Sequence, residues 1–240
     1  MSFRFKRFSV QDDRCAMKVG TDGVLLGAWC PTGTRILDIG TGSGLIALML
    51  AQRCPEAQIE AIDIDEAAVA QAQENFEHSV FNPQLSAYRS SLQEWSNHQS
   101  QTTNHPCYDL IVANPPYFQN SLKNPDKGRQ TARHTDTLSY EELIRHSARL
   151  LTTNGQLALI LPAEAETEVR QMAAAANLML TRVTRVYSKE SKPARRVLMV
   201  FSESPVTDNH SPILYDSLVL EDEKGGRSAA YQELCKEFYL

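Results

Sequence analysis

The residues best suited to chemistry form the sequence Asn114-Pro115-Pro116-Tyr117. They follow an apolar run, residues 110–113, that is typical of a buried strand. Two prolines lack backbone N–H groups and fix φ, so the chain is expected to leave the strand in a stiff, extended turn. The side-chain carbonyl of Asn114, the main-chain carbonyl of Pro115 and the ring of Tyr117 would then form a pocket for a planar group carrying an NH2. The alternative is a proline-rich strand exit with a surface tyrosine.

A second turn has the composition of a ligand-binding loop. It begins at Asp38 and contains Gly40, Gly42 and Gly44. Glycines let the backbone approach a ligand closely, and the helix predicted at 45–53 presents free N–H groups at its start. The dinucleotide pattern GxGxxG would need glycine at position 45, and Asp38 disfavours a diphosphate. Asp63, after the next predicted strand, is placed to accept hydrogen bonds from ribose hydroxyls. These features predict a site for a nucleoside cofactor that carries a positively charged group.

The elements that must position these residues alternate along the chain. Strands are predicted at 35–39, 59–62, 85–89, 108–113, 156–161, 178–187 and 196–201, and helices at 45–53, 65–77, 139–151, 164–176 and 228–238. This order predicts an α/β fold with a parallel sheet, helices on both faces, and an antiparallel last strand pair. Residues 3–8 alternate aromatic and basic side chains and predict one strand, and the polar residues 97–106 predict a surface loop. Ser139 and Glu142 have the spacing of a capping box at the start of the helix at 139–151, and Asn154-Gly155 predicts a turn. We expect one domain with a core at 35–204 and extensions at 1–34 and 205–240.

Composition excludes several classes of protein. The 240 residues carry a formal net charge of −5, so nucleic acid could be bound only through local basic patches. The five cysteines are scattered without zinc spacing, which predicts reduced thiols and no metal. No segment has the apolar length of a membrane span or the pattern of a secretion signal. We therefore expect a cytoplasmic protein, with a monomer favoured.

The two motif blocks, in this order, resemble those of S-adenosylmethionine-dependent amino-methyltransferases with a Rossmann-like seven-stranded sheet. Residues 5–8, 15–19 and 21–29, then Ala132-Arg133-His134 and residues 195–198, narrow the resemblance to the bacterial tRNA1(Val) (adenine-37-N6)-methyltransferase family. Many relatives carry an acidic residue where this chain has Ser90-Ser91-Leu92, which leaves the contact to the cofactor adenine open. The resemblance implies S-adenosyl-L-methionine as cofactor, held by Thr21, Asp38, Gly40, Gly42, Gly44, Asp63, Ile64, Ser91, Leu92 and Asn114.

The resemblance also implies an activity and a partner. The protein would methylate the exocyclic N6 of an adenosine in tRNA, namely adenosine 37 beside the anticodon. Its catalytic residues would be Asn114, Pro115, Pro116 and Tyr117, with no general base. An anticodon stem-loop presents unstacked bases, and its phosphates need cations. Three basic groups are candidates, although each is as readily a solvated face, and we expect them near the pocket mouth: Arg4, Lys6 and Arg7; Lys123, Lys127, Arg129, Arg133 and His134; Lys189, Lys192, Arg195 and Arg196.

Other functions use the same turn. Methyltransferases that modify a glutamine of release factors carry it too, but they have an added N-terminal helical domain, and only about 34 residues precede the first core strand here. Guanine-N2 methyltransferases of ribosomal RNA fit the N-terminal segment less well. A non-catalytic RNA-binding module would have no reason to keep Asn114 and Tyr117 beside a cofactor.

Overall fold

The computed structural model describes residues 2–102, 108–116, 138–203 and 212–240. The strands within these ranges are β1 (Ser2–Arg4), β2 (Ser9–Gln11), β3 (Arg35–Ile39), β4 (Gln58–Asp63), β5 (Leu85–Arg89), β6 (Tyr108–Ala113), β7 (Leu151–Pro162), β8 (Leu178–Tyr187), β9 (Ala194–Glu203) and β10 (Leu214–Val219). The helices are α1 (Thr21–Trp29), α2 (Leu45–Arg53), α3 (Glu66–Glu77), α4 (Leu92–Thr102), α5 (Tyr140–Leu150), α6 (Glu166–Ala175) and α7 (Ala229–Cys235).

The main sheet has the strand order β10-β8-β9-β7-β6-β3-β4-β5. Strands β5, β4, β3, β6 and β7 are parallel, and β9 runs antiparallel to both β7 and β8. This confirms the α/β fold and the antiparallel pair. The expected strand number is wrong, because β10 pairs in parallel with β8 and makes the sheet eight-stranded.

Helices cover both faces of this sheet, as predicted. One apolar cluster joins α1, α2, α3 and α7 to one face, and a second joins α4, α5 and α6 to the other. The alternation along β3 separates them, because Ile36 belongs to the first cluster and Leu37 to the second. Both faces are therefore buried, and the strand ends remain as places for a ligand.

Capping side chains fix where the helices begin. Ser139 and Glu142 form the predicted capping box at α5, and Asp65 accepts from the amide of Ala67 at the start of α3. Ser91 and Glu94 make the same reciprocal contacts at α4. Because α4 continues to Thr102, the prediction of a surface loop from residue 97 is wrong for its first residues.

The N-terminal residues form two strands, not one. β1 and β2 pair antiparallel, and the amide of Phe5 donates to the carbonyl of Phe8 across the turn between them. Phe5 and Phe8 stack at a centroid distance of 4.8 Å and are buried, while Phe3 is 39% exposed. The first strand therefore ends at Arg4, because the chain then turns and buries the rings of Phe5 and Phe8 inside the protein.

The predicted turn at Asn154-Gly155 lies inside β7 as an irregularity. Tyr108 pairs with Leu151, but Leu110 pairs with Gln156, so four residues of β7 stand opposite one of β6. No helix among the described residues is both long and apolar enough to span a membrane.

Candidate active site

The predicted ligand-binding turns meet at one edge of the sheet. Ile39 of β3 pairs with Ala113 of β6, and β3, β4, β5 and β6 all point the same way. The glycine turn after β3 and Asn114 after β6 therefore leave adjacent strands at their carboxyl ends. In an open α/β sheet this is the position where ligands bind.

The glycine turn crosses over the end of β4. The amides of Gly40 and Thr41 donate to the carbonyl of Ile62 at 2.9 and 3.1 Å. The three glycines have φ of +68°, +55° and +79°. A Cβ added at Gly40 or Gly42 would meet nothing within 4 Å, so this part of the turn offers open space for a ligand. At Gly44 a Cβ would stand 2.4 Å from the Phe76 ring, which explains why only glycine fits there.

Asp38 lies beneath this turn. Its carboxylate is fully buried, Oδ2 accepts from the Thr41 hydroxyl at 2.7 Å, and Oδ1 has no hydrogen-bond partner among the described residues. Burial raises the pKa of Asp38 to about 7, although the Thr41 hydrogen bond opposes that rise. The buried side chain supports the turn through Thr41, and a direct contact of Asp38 with a ligand stays a prediction.

Asp63, the last residue of β4, binds the glycine turn directly. Its Oδ2 accepts from the amide of Gly42 at 2.9 Å, and its Oδ1 accepts from the amide of Asp65 at 3.0 Å. The next residue, Ile64, exposes 55% of its surface, which is unusual for an isoleucine at a strand end. An oriented carboxylate beside an exposed apolar surface suits a ribose and its attached flat base.

The two residues predicted after β5 stand next to Asp63. The amide of Ser90 donates to the carbonyl of Asp63 at 3.0 Å, which fixes the start of this loop. Ser91 is engaged by Glu94, and Leu92 is buried in the sheet face. The serine hydroxyl is thus committed to the α4 cap, which leaves main-chain N–H groups as the simpler contacts for an adenine.

The segment between β2 and α1 contacts α3 at one side and Asn114 at the other. The sequence analysis assigned no role to most of its residues. Asn75 of α3 bonds both Gln11 and the carbonyl of Ser43. Met17 reaches the opposite side, where its sulfur lies 3.8 Å from Nδ2 of Asn114. Thr21, exposed at the first residue of α1, stands near the turn, because a Cβ at Gly23 would lie 3.0 Å from Leu45.

The structure places only part of the predicted catalytic motif. Asn114 is half-buried, Pro115 is buried and Pro116 is exposed, directly after β6. Tyr117 lies outside the described residues, and so do the five cationic candidates Lys123, Lys127, Arg129, Arg133 and His134.

The remaining cationic candidates occupy two separate places. Lys189 and Lys192 lie between β8 and β9, and Arg195 in β9, at the edge that also carries Asn114, because β8 runs in the direction of β7. Lys192 and Arg195 are exposed, whereas Lys189 lies 3.5 Å from Glu221. Arg196 donates to Asp22 of α1 at 2.9 Å, so its charge is already paired.

Lys6 and Arg7, at the turn between β1 and β2, lie elsewhere. This contradicts the expectation that all three basic groups lie near the pocket mouth. Arg7 stacks over Phe81, which precedes the amino end of β5, at 5.2 Å. The Lys6 ammonium donates to the carbonyl of Lys236 beyond α7. Both therefore lie toward the amino ends of the strands, away from Asn114, whereas Arg4 lies in β1, between this turn and the Ser2–Gln11 pair.

Comparison with known proteins agrees with this architecture. The methyltransferase small domain family matches residues 20–181. Among solved structures, a predicted O-methyltransferase from Agrobacterium tumefaciens superposes with a TM-score of 0.70 at 15% identity, over 90% of this chain and 96% of the other. The CcbJ methyltransferase from Streptomyces caelestis gives 0.52 at 12% identity, over 76% and 94%. At these identities the likeness shows the fold alone.

Curated relatives are much closer in sequence. A tRNA1(Val) (adenine(37)-N6)-methyltransferase from Parabacteroides distasonis is 47% identical, over 99% of this chain and 97% of its own. A protein of the same name from Tolumonas auensis is 42% identical, over 100% and 97%. The sheet edge joins a glycine turn to Asn114-Pro115, and the relatives match over nearly their full length. The chain therefore belongs to the tRNA1(Val) (adenine(37)-N6)-methyltransferase family.

Proposed function

We propose that this protein methylates the exocyclic N6 of adenosine 37 in tRNA1(Val), with S-adenosylmethionine as methyl donor. The observation that carries the proposal is the position of Asn114 and Pro115, directly after the strand that pairs with the glycine-turn strand. Full-length relatives carry this activity in their names. A tRNA substrate implies that the enzyme works in the cytoplasm.

The residues at the edge fit the proposed cofactor. The open space over Gly40 and Gly42 would accommodate its amino-acid part. The Asp63 carboxylate would accept from the ribose hydroxyls, and the exposed Ile64 side chain would contact the adenine. Thr21 and the main-chain groups at Ser91 and Leu92 complete the predicted contacts. When bound, S-adenosylmethionine supplies an electrophilic methyl group on a sulfonium sulfur.

Asn114 and Pro115 would prepare the acceptor nitrogen. The lone pair of an adenine amino group is delocalised into the ring, which makes the nitrogen a poor nucleophile. Two carbonyl oxygens, Asn114 Oδ1 and Pro115 O, would accept both amino hydrogens and turn the nitrogen toward tetrahedral geometry. The same fixed dipoles stabilise the positive charge that develops on that nitrogen. The methylated nitrogen is acidic enough to lose its proton to solvent, so we assign no general base.

Binding the base requires a stacking partner and a cationic surface. We assign the stacking to Tyr117, an interaction of roughly 1–3 kcal/mol for a base on an aromatic ring. An adenosine beside an anticodon is already partly unstacked, so its extrusion costs little. Among the described cations, Lys192 and Arg195 suit the flanking phosphates best, because both are exposed at the edge that carries Asn114.

The decisive experiment supplies the purified protein with methyl-labelled S-adenosylmethionine and either unmodified tRNA or a release factor. Products are digested and identified by mass spectrometry. N6-methyladenosine at position 37 of tRNA1(Val) is the expected product. Label on a glutamine would keep the Asn114 chemistry but overturn the substrate, and absence of label from both would overturn the proposal.

A further inference from the structure

The amide of Asn114 has two orientations, and only one of them serves the proposed chemistry. With Oδ1 toward the substrate it accepts a hydrogen from the adenine amino group. Turned over by 180°, it presents its own NH2, and two donors face each other. Something must therefore hold the NH2 side away from the substrate.

Met17 contacts that NH2 side. Asn114 Nδ2 lies 3.8 Å from the Met17 sulfur, although the two residues are 97 positions apart in the chain. A thioether sulfur accepts a weak hydrogen bond and has no hydrogen to donate. It therefore favours the orientation that keeps the NH2 on its own side and turns Oδ1 away from it.

The backbone around Met17 is held in place from several sides. Asp12 Oδ2 accepts from the amide of Val19 at 2.9 Å, and the Lys18 ammonium donates to the carbonyl of Asp12 at 2.7 Å, which closes residues 12–19 into a loop. Arg14 then fixes this loop to α3 through Gln71, at 3.1 Å, and through an ion pair with Glu74. Because the loop is anchored, the half-exposed Met17 side chain reaches Asn114 from a fixed position.

We propose that Met17 is a positioning residue that orients the Asn114 amide for methyl transfer. The inference rests on the proposed function, because it assigns to Asn114 Oδ1 the role of accepting a hydrogen from the substrate amine. Met17 acts through Asn114 and is not itself assigned a contact with substrate or cofactor.

Two substitutions separate orientation from packing. Met17→Leu keeps an apolar side chain of similar volume but removes the acceptor, whereas Met17→Gln restores an acceptor at similar length. We expect Leu to lower kcat about threefold, toward the lower end of the value of one neutral hydrogen bond because a thioether accepts weakly, with KM and S-adenosylhomocysteine affinity unchanged. Gln should retain kcat to within about twofold. Met179→Leu, at a methionine 50% exposed in β8, is the matched control and should have no effect.

The inference is overturned if Leu and Gln behave alike, or if KM or cofactor affinity changes in place of kcat. A readout independent of activity is the NMR signal of the Asn114 side-chain NH2, identified by its loss in Asn114→Ala. It should shift in Met17→Leu and stay in place in Met179→Leu, and an unmoved signal would count against the contact. Wild-type protein that makes no N6-methyladenosine would refute the proposed function instead, and the NMR comparison would still test the orientation.

Discussion

The two sides of the candidate site are held by different kinds of contact. On the cofactor side, Asp63 binds two amides at 2.9 and 3.0 Å, and Asp38 holds Thr41 at 2.7 Å. On the substrate side, Asn114 donates to a thioether sulfur at 3.8 Å, a much weaker contact. The carboxylate bonds indicate a turn that is rigid before a ligand arrives, whereas the Met17 contact of Asn114 restrains the amide only weakly. Substitutions should therefore change stability and affinity on the first side and turnover on the second.

Asn114→Ala should produce the largest effect. Removing a preorganised dipole at the reacting atom typically lowers turnover roughly 10²- to 10³-fold. Cofactor affinity and thermal stability should change little, because the side chain is not part of the turn. Single-turnover methylation and calorimetric titration with S-adenosylhomocysteine measure the two quantities. The exposed Asn154→Ala provides the control, and unchanged turnover in Asn114→Ala would remove this residue from the mechanism.

Asp38→Asn tests the buried side of the turn through pH. A carboxyl whose pKa is raised by burial to about 7 binds its proton more tightly in the folded protein than in the unfolded chain. Its contribution is therefore favourable at low pH and is lost as pH rises from about 4 to 7, at about 1.4 kcal/mol for each unit of pKa difference. Asn keeps an acceptor for Thr41 and cannot ionise.

The measurement for Asp38 is urea unfolding between pH 4 and 8. Relative to wild type, the Asn variant should become more stable as pH rises through this range. Asp216→Asn, at an exposed position of β10, should follow the wild-type curve. A constant difference between Asp38→Asn and wild type would show that the buried carboxyl does not titrate as described.

Gly44→Ala should destabilise the fold, because its φ is +79° and its Cβ would stand 2.4 Å from the buried Phe76 ring. Backbone strain and overpacking together cost roughly 2–4 kcal/mol. Gly225→Ala separates the two terms, since its φ is +81° but a Cβ there meets nothing within 4 Å. Strain alone predicts about 1–2 kcal/mol at Gly225. Equal losses of unfolding free energy at both glycines would show that the Phe76 contact is unimportant.

Asp63→Ala should weaken cofactor binding. Loss of hydrogen bonds to a charged acceptor corresponds to a roughly 10- to 100-fold rise in Kd for S-adenosylhomocysteine. Asp109→Ala is the control, because its carboxylate also accepts from two amides, those of Thr34 and Arg35, but lies at the amino end of β3, at the opposite edge of the sheet from Asp63. That variant should lose stability and keep cofactor affinity. If both variants bind the cofactor alike, Asp63 has no direct role.

The turns that carry the chemistry could be predicted from the sequence because they depend on local rules. Positive φ demands glycine, paired prolines end a strand, and a Ser-x-x-Glu pattern starts a helix. The same rule would have found α4, since Ser91 and Glu94 repeat the pattern that identified α5 at Ser139 and Glu142. The loop prediction for residues 97–106 used their polar composition alone and did not apply this rule.

Other features depend on contacts between distant segments. β10 has four exposed residues in six and no clean alternation, so only its pairing with β8 identifies it as a strand of this sheet. The contact between Met17 and Asn114 and the position of Arg7 over Phe81 likewise join segments far apart in sequence. Periodicity carries no information about such pairs, and a basic cluster does not reveal which end of the sheet it occupies.

The smallest expected effect concerns the two separated cationic groups, one at the edge that carries Asn114 and one at the turn between β1 and β2. Lys192→Ala and Arg195→Ala should each reduce the salt dependence of tRNA binding by about 0.7–0.9 in the slope of log K against log salt, because each removes one phosphate contact. Arg7→Ala, exposed at the turn between β1 and β2, should leave the slope closer to the wild-type value, since Arg7 lies over Phe81 before the amino end of β5. Filter binding at several salt concentrations measures the slopes. A larger change at Arg7 than at Lys192 and Arg195 would mean that the RNA extends around the sheet to the turn between β1 and β2, and the substrate side would then be much wider than the edge that carries Asn114.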